Sequence, residues 1–487
     1  FARLDVGLVR TGIATSWGVK PEDTADGSKL AAAWSEAGHA PAGLVFTGQT
    51  DPAWTAAMAL AAGRGQPLLF VDCRQQLDGY LSMAEAAAFA AAVRKGAQDV
   101  GLPHAALGDA IDAVTLCLNA PIKFRPDDAA KDMLALTDFV GRTNDTVNDN
   151  PRWAWCGQVP GTAASAAYRA MSALFTQPRS AWFFDGYPDA PGWKDYDATA
   201  SGEIIKKAGL AVEVLDTPNQ SARDWRLRAA RPVDAGIIAV TTKGNSDFFD
   251  LEPGQCKPAD VPVLGLPAAV HFTHSWSIER PADRNTVGGR WLERGAFIYV
   301  GSVHEPFLHA FVPNPVFITR IGFGVPFITS ARQESGPVGA KPWKVATLGD
   351  PLFSLFNRAQ NKDEPVPLQG TTAIDASLRD DLTAERYAEA LTTLVLAGRD
   401  PAAAKLAQTL REKKPDVFVG PVAGAAVLPL FRSGQTRESL IAFSLADPRD
   451  RRNPAIRDAA MLASYPFREA GADKAVTDAI AVLDAAN

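Results

Sequence analysis

The chain has 487 residues, a formal net charge of −6 and an apolar fraction of 47%. This length predicts more than one domain, because a single hydrophobic core stops growing well below this size. Positive and negative residues are interspersed, so no basic field attracts nucleic acid. No run of about eighteen apolar residues is present to cross a bilayer. We therefore expect neither a nucleic-acid partner nor a transmembrane segment.

The chain begins with Phe1 and contains four cysteines without any C-x-x-C pair. A removed secretory signal is one explanation for this start, and a truncated chain is another. Under the first explanation we expect a secreted, cell-surface or periplasmic protein. Cys73 and Cys117 both come late in predicted strands, which leaves open a disulfide between them or two buried free thiols.

In the first part of the chain, predicted strands alternate with predicted helices. Short continuous apolar runs at 43–48, 67–72 and 112–119 predict buried strands of a parallel sheet. Ser82, followed three residues later by a glutamate, predicts the capped start of a long alanine-rich helix. Helical spacing of apolar residues also predicts a helix over Asp127–Arg142. This alternation indicates a parallel sheet that helices cover on both faces.

The same alternation continues in a second unit. Apolar runs at 210–216, 236–242, 267–273 and 296–302 predict strands, and a helix is predicted over Thr286–Arg294. From about residue 375 the sequence pattern changes. Alanine-rich segments with helical spacing of apolar residues follow one another, and short turns connect them. Helices in series of this kind predict a small bundle or a short repeat array.

These patterns predict an α/β fold class, in which two packed, parallel-rich α/β subdomains are followed by an all-α C-terminal module. The predicted boundaries are 1–178 for the N-terminal α/β subdomain, 179–360 for the second subdomain, 361–374 for a linker and 375–487 for the helical module. The linker is polar and contains proline, which is typical of a domain boundary.

Four short motifs follow one another in the second subdomain. They are GIIAVTTKGNS, PAAVHFTHSWS, AFIYVGSVHEPF and LGDPLF. In this order they resemble the core of the gingipain-type cysteine peptidases, which have a caspase-like fold. In that family one parallel strand ends in a His-Gly pair and the next ends in the nucleophilic cysteine. Here Lys243-Gly244 stands at the first position and Thr273-His274-Ser275 at the second.

The resemblance implies a caspase-like second subdomain in which Lys243 and His274 follow neighbouring strands of the same direction. Carboxyl ends of adjacent parallel strands lie about 5 Å apart, and the crevice beyond them is the usual ligand site of such a sheet. None of the four cysteines matches the position of the nucleophile. The resemblance therefore predicts a divergent relative that lacks the catalytic pair.

A cluster of histidines near these strand ends has three interpretations. In the first, a hydrolytic site is formed by His274, Ser275, His304 and Glu305, because histidine can take a hydroxyl proton near neutral pH and a carboxylate can orient the ring. In the second, a zinc ion is bound by ligands drawn from His271, His274, His304, Glu305 and His309. In the third, which we favour, the histidines are hydrogen-bonded members of a polar patch. We accordingly assign no metal and no cofactor.

Other side chains near the strand ends are candidates for contact with a ligand: Lys243, Asn245, Trp276, Asp185 and Tyr187. Asp185 and Tyr187 follow the apolar run AWFF, where an ordinary turn is the alternative to a ligand-binding loop.

The leading functional hypothesis is a non-peptidase relative of the gingipain-like proteases that serves as a secreted or surface scaffold for binding or assembly. A protein partner or a second copy of the chain would dock on the helical module. One alternative is a peptidase-like or esterase-like hydrolase with the His/Ser site. A zinc-dependent protein is the third hypothesis.

Overall fold

The structure is a computed structural model that describes residues 32, 34–36, 38–127, 131–143, 150–188, 190–334, 340–355 and 371–486. Most of the predicted linker, residues 361–370, lies outside this part of the chain. The chain divides into two compact units. The first comprises Phe1–Ala222, Ala235–Pro258 and Leu266–Asn357, and the second comprises Arg223–Asp234, Ala259–Gly265 and Arg358–Asn487.

The strands of the first unit form one large sheet and two small ones. In chain order they are β1 (Gly43–Thr47), β2 (Leu68–Phe70), β3 (Leu81–Ser82), β4 (Ala113–Cys117), β5 (Lys123–Arg125), β6 (Leu134–Ala135), β7 (Trp155–Gln158), β8 (Ser180–Asp185), β9 (Ala211–Leu215), β10 (Ile237–Thr241), β11 (Lys243–Asn245), β12 (Phe248–Asp250), β13 (Gln255–Cys256), β14 (Ala268–Thr273), β15 (Ala296–Ser302) and β16 (Val345–Leu348).

The large sheet has ten strands in the order β2-β1-β4-β7-β16-β15-β14-β10-β8-β9. All neighbours pair in parallel except β15 and β16, which are antiparallel. The sheet therefore consists of two parallel half-sheets of opposite direction. The first half-sheet is β2, β1, β4, β7 and β16, and the second is β15, β14, β10, β8 and β9. Their strands reach their carboxyl ends at opposite edges.

Seventeen α-helices are described, in both units. They are α1 (Trp54–Arg64), α2 (Met83–Val100), α3 (Leu136–Val140), α4 (Ala163–Phe175), α5 (Ala198–Lys207), α6 (Ala222–Ala229), α7 (Val287–Glu293), α8 (Asn314–Gly322), α9 (Phe327–Ser330), α10 (Thr371–Thr383), α11 (Tyr387–Leu396), α12 (Asp400–Lys413), α13 (Gly420–Arg432), α14 (Thr436–Leu445), α15 (Pro448–Arg451), α16 (Pro454–Ala470) and α17 (Lys474–Ala485).

The strands of the large sheet are apolar along their length because helices cover both faces of the sheet. In β1, Val45 packs into a core cluster with α1, whereas Leu44 and Phe46 pack into a cluster with α2 on the opposite face. Successive side chains of a strand point to opposite faces, so a strand that helices cover on both sides must be apolar throughout. The continuous apolar runs of the sequence follow from this requirement.

The predicted fold class, a mixed α/β protein with a parallel-rich sheet and a helical C-terminal region, is confirmed.

Local capping signals also work as predicted. The Ser82 hydroxyl accepts a hydrogen bond from the Glu85 backbone N–H, and the Glu85 carboxylate accepts one from the Ser82 N–H. This reciprocal arrangement pairs two of the N–H groups that the first turn of a helix leaves unpaired. Helix α2 ends at Gly101, whose φ of 78° is the left-handed conformation that glycine adopts without strain.

The helix predicted over Asp127–Arg142 is wrong within its described part. Leu134–Ala135 forms β6, which pairs antiparallel with β5, and only the short helix α3 follows. Asp138 and Arg142 look like the solvent-facing residues of an amphipathic helix. They are instead fully buried and form an ion pair with each other. The segment is joined to the large sheet by Thr137, whose hydroxyl accepts a hydrogen bond from the Thr347 N–H of β16.

The second unit contains the helices from α10 to α17 and two pieces from earlier in the chain. Trp225 donates its indole N–H to the backbone oxygen of Asp260 at 2.8 Å. The Asp260 carboxylate forms an ion pair with Arg226 and accepts a hydrogen bond from the Tyr465 hydroxyl on α16. The helical unit thus includes residues that lie within the predicted second subdomain. Over the described residues, no helix is both long enough and apolar enough to cross a membrane.

Candidate functional site

The strands that precede the candidate site residues are neighbours. β10 and β14 pair in parallel, with Thr241 opposite Thr273. The pairing continues one step further, because the Thr242 N–H donates to the Thr273 oxygen at 3.1 Å. Lys243 and His274 therefore leave the sheet side by side and in the same direction, as predicted.

His274 is closed off at this edge by the hairpin of β11 and β12. Its imidazole Nε2–H donates to the Asn245 backbone oxygen at 2.8 Å, and only 2% of the residue is exposed. Burial lowers the pKa of His274 to about 4, and the bond to the carbonyl opposes this shift only in part. The imidazole is therefore neutral near pH 7 and has its N–H directed at the protein backbone.

Gly244 permits the hairpin to lie against the imidazole. Its φ is +149°, and a Cβ at this position would come 2.8 Å from His274 Cε1 and 2.6 Å from the Phe248 oxygen. Contacts this short do not occur in proteins, so any other residue would push the hairpin away from the ring.

Two of the candidate ligand-contacting residues, Lys243 and Asn245, lie in this hairpin, and a third, Tyr187, contacts Lys243. Lys243 is exposed, and its Nζ lies 4.4 Å from the ring centroid of Tyr187, a cation–π contact. Asn245 is exposed, and its Oδ1 accepts from the Ser246 N–H at 2.7 Å. Tyr187 is buried, and burial, with the charges of Asp250 and Glu252, raises the pKa of its hydroxyl.

Ser275 is hydrogen-bonded to a carboxylate. Its hydroxyl donates to Glu305 Oε1 at 3.0 Å, and the same oxygen accepts from the Phe307 N–H at 3.0 Å. Within the described part of the chain, no hydrogen bond joins Ser275 to His274 or His304. The structure therefore pairs the Ser275 hydroxyl with Glu305 and not with either imidazole.

His304 belongs to a separate polar group beyond β15. Its Nδ1 lies 3.4 Å from Asp132 Oδ1, and Asp132 also accepts from Lys344 Nζ at 2.7 Å. Its ring lies against Trp276, with centroids 5.2 Å apart. Burial, followed by the charge of Lys344, lowers the pKa of His304, and the nearby acids oppose this shift.

The remaining histidines do not join this group. His271 is fully buried, with its ring 4.5 Å from Phe317, on the opposite face of β14 from His274. His309 is exposed and stacks on Phe307. In the regions that the structure describes, no group of three or more His, Cys, Asp or Glu residues is placed to hold a metal ion.

Three polar residues form a row across the strands at the same edge of the sheet. Only one of them, Asp185, was a candidate from the sequence. Asp185, Thr241 and Thr273 are opposite one another on three adjacent strands, and all three are buried. The amide of Asn314, at the start of α8, donates to Thr241 Oγ1 at 2.7 Å. Asp185 and Thr241 end β8 and β10, between which the strand order reverses, the usual ligand position of such sheets. Threonines within apolar runs and an asparagine distant in sequence carry no local signal for this arrangement.

We expect His271 to make the protein less stable in acid. Burial lowers the pKa of His271 from 6.5 to about 4. Between these values the unfolded chain binds a proton that the folded chain excludes, so the unfolding free energy decreases as pH falls from 6.5 towards 4. The contribution is about 1.4 kcal/mol per pH unit. Urea unfolding at pH 7.5 and pH 5.0 should show a drop about 2 kcal/mol smaller in His271→Phe than in the wild type. An equal drop in both proteins would contradict this assignment.

No protein-family model matches the chain, and no curated protein matches it. A solved structure described as "Structure of Protease" aligns with 65% of this chain and 79% of its own chain, at a TM-score of 0.41 and 9% identity.

Proposed function

We propose that this protein is a non-peptidase relative of the gingipain-type cysteine peptidases and works as a scaffold for binding or assembly. The observation that supports this proposal is the closure of His274 under the β11–β12 hairpin. A general base must reach the proton that it abstracts and must accept it near the working pH. His274 Nε2 is committed to the Asn245 carbonyl, and the low pKa of its ring disfavours the imidazolium.

The cysteines support the same conclusion. All four are free thiols. Cys117 ends β4 in the first half-sheet, and burial raises its pKa, as it does for Cys156 in β7. A nucleophilic cysteine needs the opposite, a pKa lowered by a nearby positive group. Neither thiol is therefore activated as a nucleophile.

The contact between Ser275 and Glu305 favours the hydrolase as a second candidate, because a carboxylate can accept a hydroxyl proton. A serine-directed fluorophosphonate probe distinguishes the two candidates. The scaffold proposal predicts equal, background labelling of the wild type and Ser275→Ala, with trypsin as the positive control. Labelling of the wild type that disappears in Ser275→Ala would overturn the scaffold proposal. The expectation that the protein works outside the cell stays a prediction.

A further inference from the structure

The helical unit contains three similar hairpins of helices. They are α11 with α12, α13 with α14, and α16 with α17. Each pair is connected through a glycine of positive φ, and these glycines, Gly398, Gly434 and Gly471, follow one another at nearly equal intervals along the chain. The first helices of successive hairpins pack side by side, α11 on α13 and α13 on α16. Stacked hairpins of this kind present an extended surface along their first helices, which helical-repeat proteins use for binding.

A groove of about 540 Å³ runs across these first helices. Its lining includes Ala388 and Thr392 from α11 and Gly424 and Ala425 from α13. Small side chains let the backbone of another polypeptide approach the helices closely. Leu396, one turn beyond Thr392 on the same face of α11, is 83% exposed. Leu396 therefore adds an exposed apolar side chain to the face of α11 that lines the groove.

Two acidic side chains, Glu389 and Asp450, also line the groove. The Asp450 carboxylate lies directly over Gly424, because a Cβ at this glycine would be only 2.4 Å from Asp450 Oδ2. Among the described residues, neither carboxylate forms an ion pair. Acids that line a groove and form no ion pair attract a positively charged group from a partner.

We propose that this groove docks an extended segment of a partner protein, which places a lysine or arginine between Glu389 and Asp450. Small apolar residues of the segment would lie over Ala388 and Ala425, and a larger one would pack on Leu396. This inference rests on the proposed scaffold function, for which it names the surface and the chemistry of the partner.

Two fluorescein-labelled nonapeptide libraries test the proposal by fluorescence anisotropy. Both have small apolar residues at the outer positions, and the central residue is lysine or arginine in one and glutamate in the other. We expect saturable binding of the basic library that weakens as salt increases, and none of the acidic library. Glu389→Lys should weaken binding at least tenfold. Asp416→Lys, which makes the same charge change on an exposed loop, should bind like the wild type.

Filling the groove gives a second variant. Gly424→Leu should abolish binding, and circular dichroism establishes whether that variant folds. Because Glu389 is exposed on a helix, Glu389→Lys remains informative if Gly424→Leu does not fold. Equal binding of the two libraries, no binding of either, or unchanged binding by Glu389→Lys would overturn the docking proposal. Failure of the scaffold function itself is distinguishable, because it appears as Ser275-dependent labelling by the fluorophosphonate.

Discussion

Asp138→Ala is expected to lower the unfolding free energy by about 3–5 kcal/mol, the cost of removing one partner from a buried ion pair. The Asp138 carboxylate lies 2.7 Å from Arg142 Nε and 2.5 Å from an Nη of Arg152, and it also forms an ion pair with Arg332. All four residues are buried. Burial lowers the pKa of Arg332, which shows that the charged guanidinium has lost its water, so removal of the carboxylate would leave buried positive charges without a counter-ion.

Urea unfolding at neutral pH measures this effect. Asp99→Ala is the matched control, because Asp99 pairs with Lys95 on the surface of α2, where both side chains are more than half exposed. Exposed pairs contribute no more than about 1 kcal/mol. A loss of less than about 1 kcal/mol in Asp138→Ala would show that the three arginines do not depend on this acid.

Gly244→Ala is expected to release the hairpin from His274. The added methyl group would collide with the imidazole and with the Phe248 oxygen, and it would sit at a φ that only glycine adopts readily. We expect a loss of about 1–3 kcal/mol of unfolding free energy. The hydrogen bond from His274 to the Asn245 carbonyl should break, and access of water should raise the pKa of His274 from about 4 towards 6.5.

Urea unfolding and an NMR titration of the imidazole measure the two consequences of Gly244→Ala. Gly322→Ala at the end of α8 is the control, since a Cβ there would meet nothing within 4 Å. That control should stay within about 0.5 kcal/mol of the wild type. If Gly244→Ala is as stable as the control and leaves the His274 pKa unchanged, the hairpin does not depend on the glycine.

The predictable part of the fold is the part that local pattern encodes. The run IIAVT is buried along its whole length because its strand has neighbours and helices on all sides, so it reads as continuous apolar sequence. The start of α2 is equally visible, because Ser82 and Glu85 satisfy each other's backbone groups within one turn.

The reversal of direction in the sheet could not be predicted. It depends on β16, a four-residue strand that pairs antiparallel with β15 and parallel with β7. A short apolar run is compatible with either strand direction, and only contacts with residues far away in sequence decide between them.

The helix predicted over Asp127–Arg142 is wrong for a related reason. Asp138 and Arg142 have helical spacing, and their burial depends on Arg152 and Arg332, which the local pattern cannot include.

The site shows the same limit. The sequence placed Lys243 and His274 at neighbouring strand ends, and the pairing of β10 with β14 confirms that placement. It did not predict the hairpin from Lys243 to Asp250, in which a glycine of positive φ carries the Asn245 carbonyl to the imidazole. Whether a histidine at a strand end is open or covered depends on this contact between segments distant in sequence.

An NMR titration of the ¹⁵N-labelled His274 imidazole in the wild-type protein, assigned with His274→Gln, tests most directly whether this strand end is closed. A closed site predicts the neutral tautomer with its proton on Nε2 from pH 8 down to about 5, with protonation only near pH 4. Titration between pH 6 and 7, with rapid exchange of the ring N–H with water, would contradict the closure and with it the scaffold proposal.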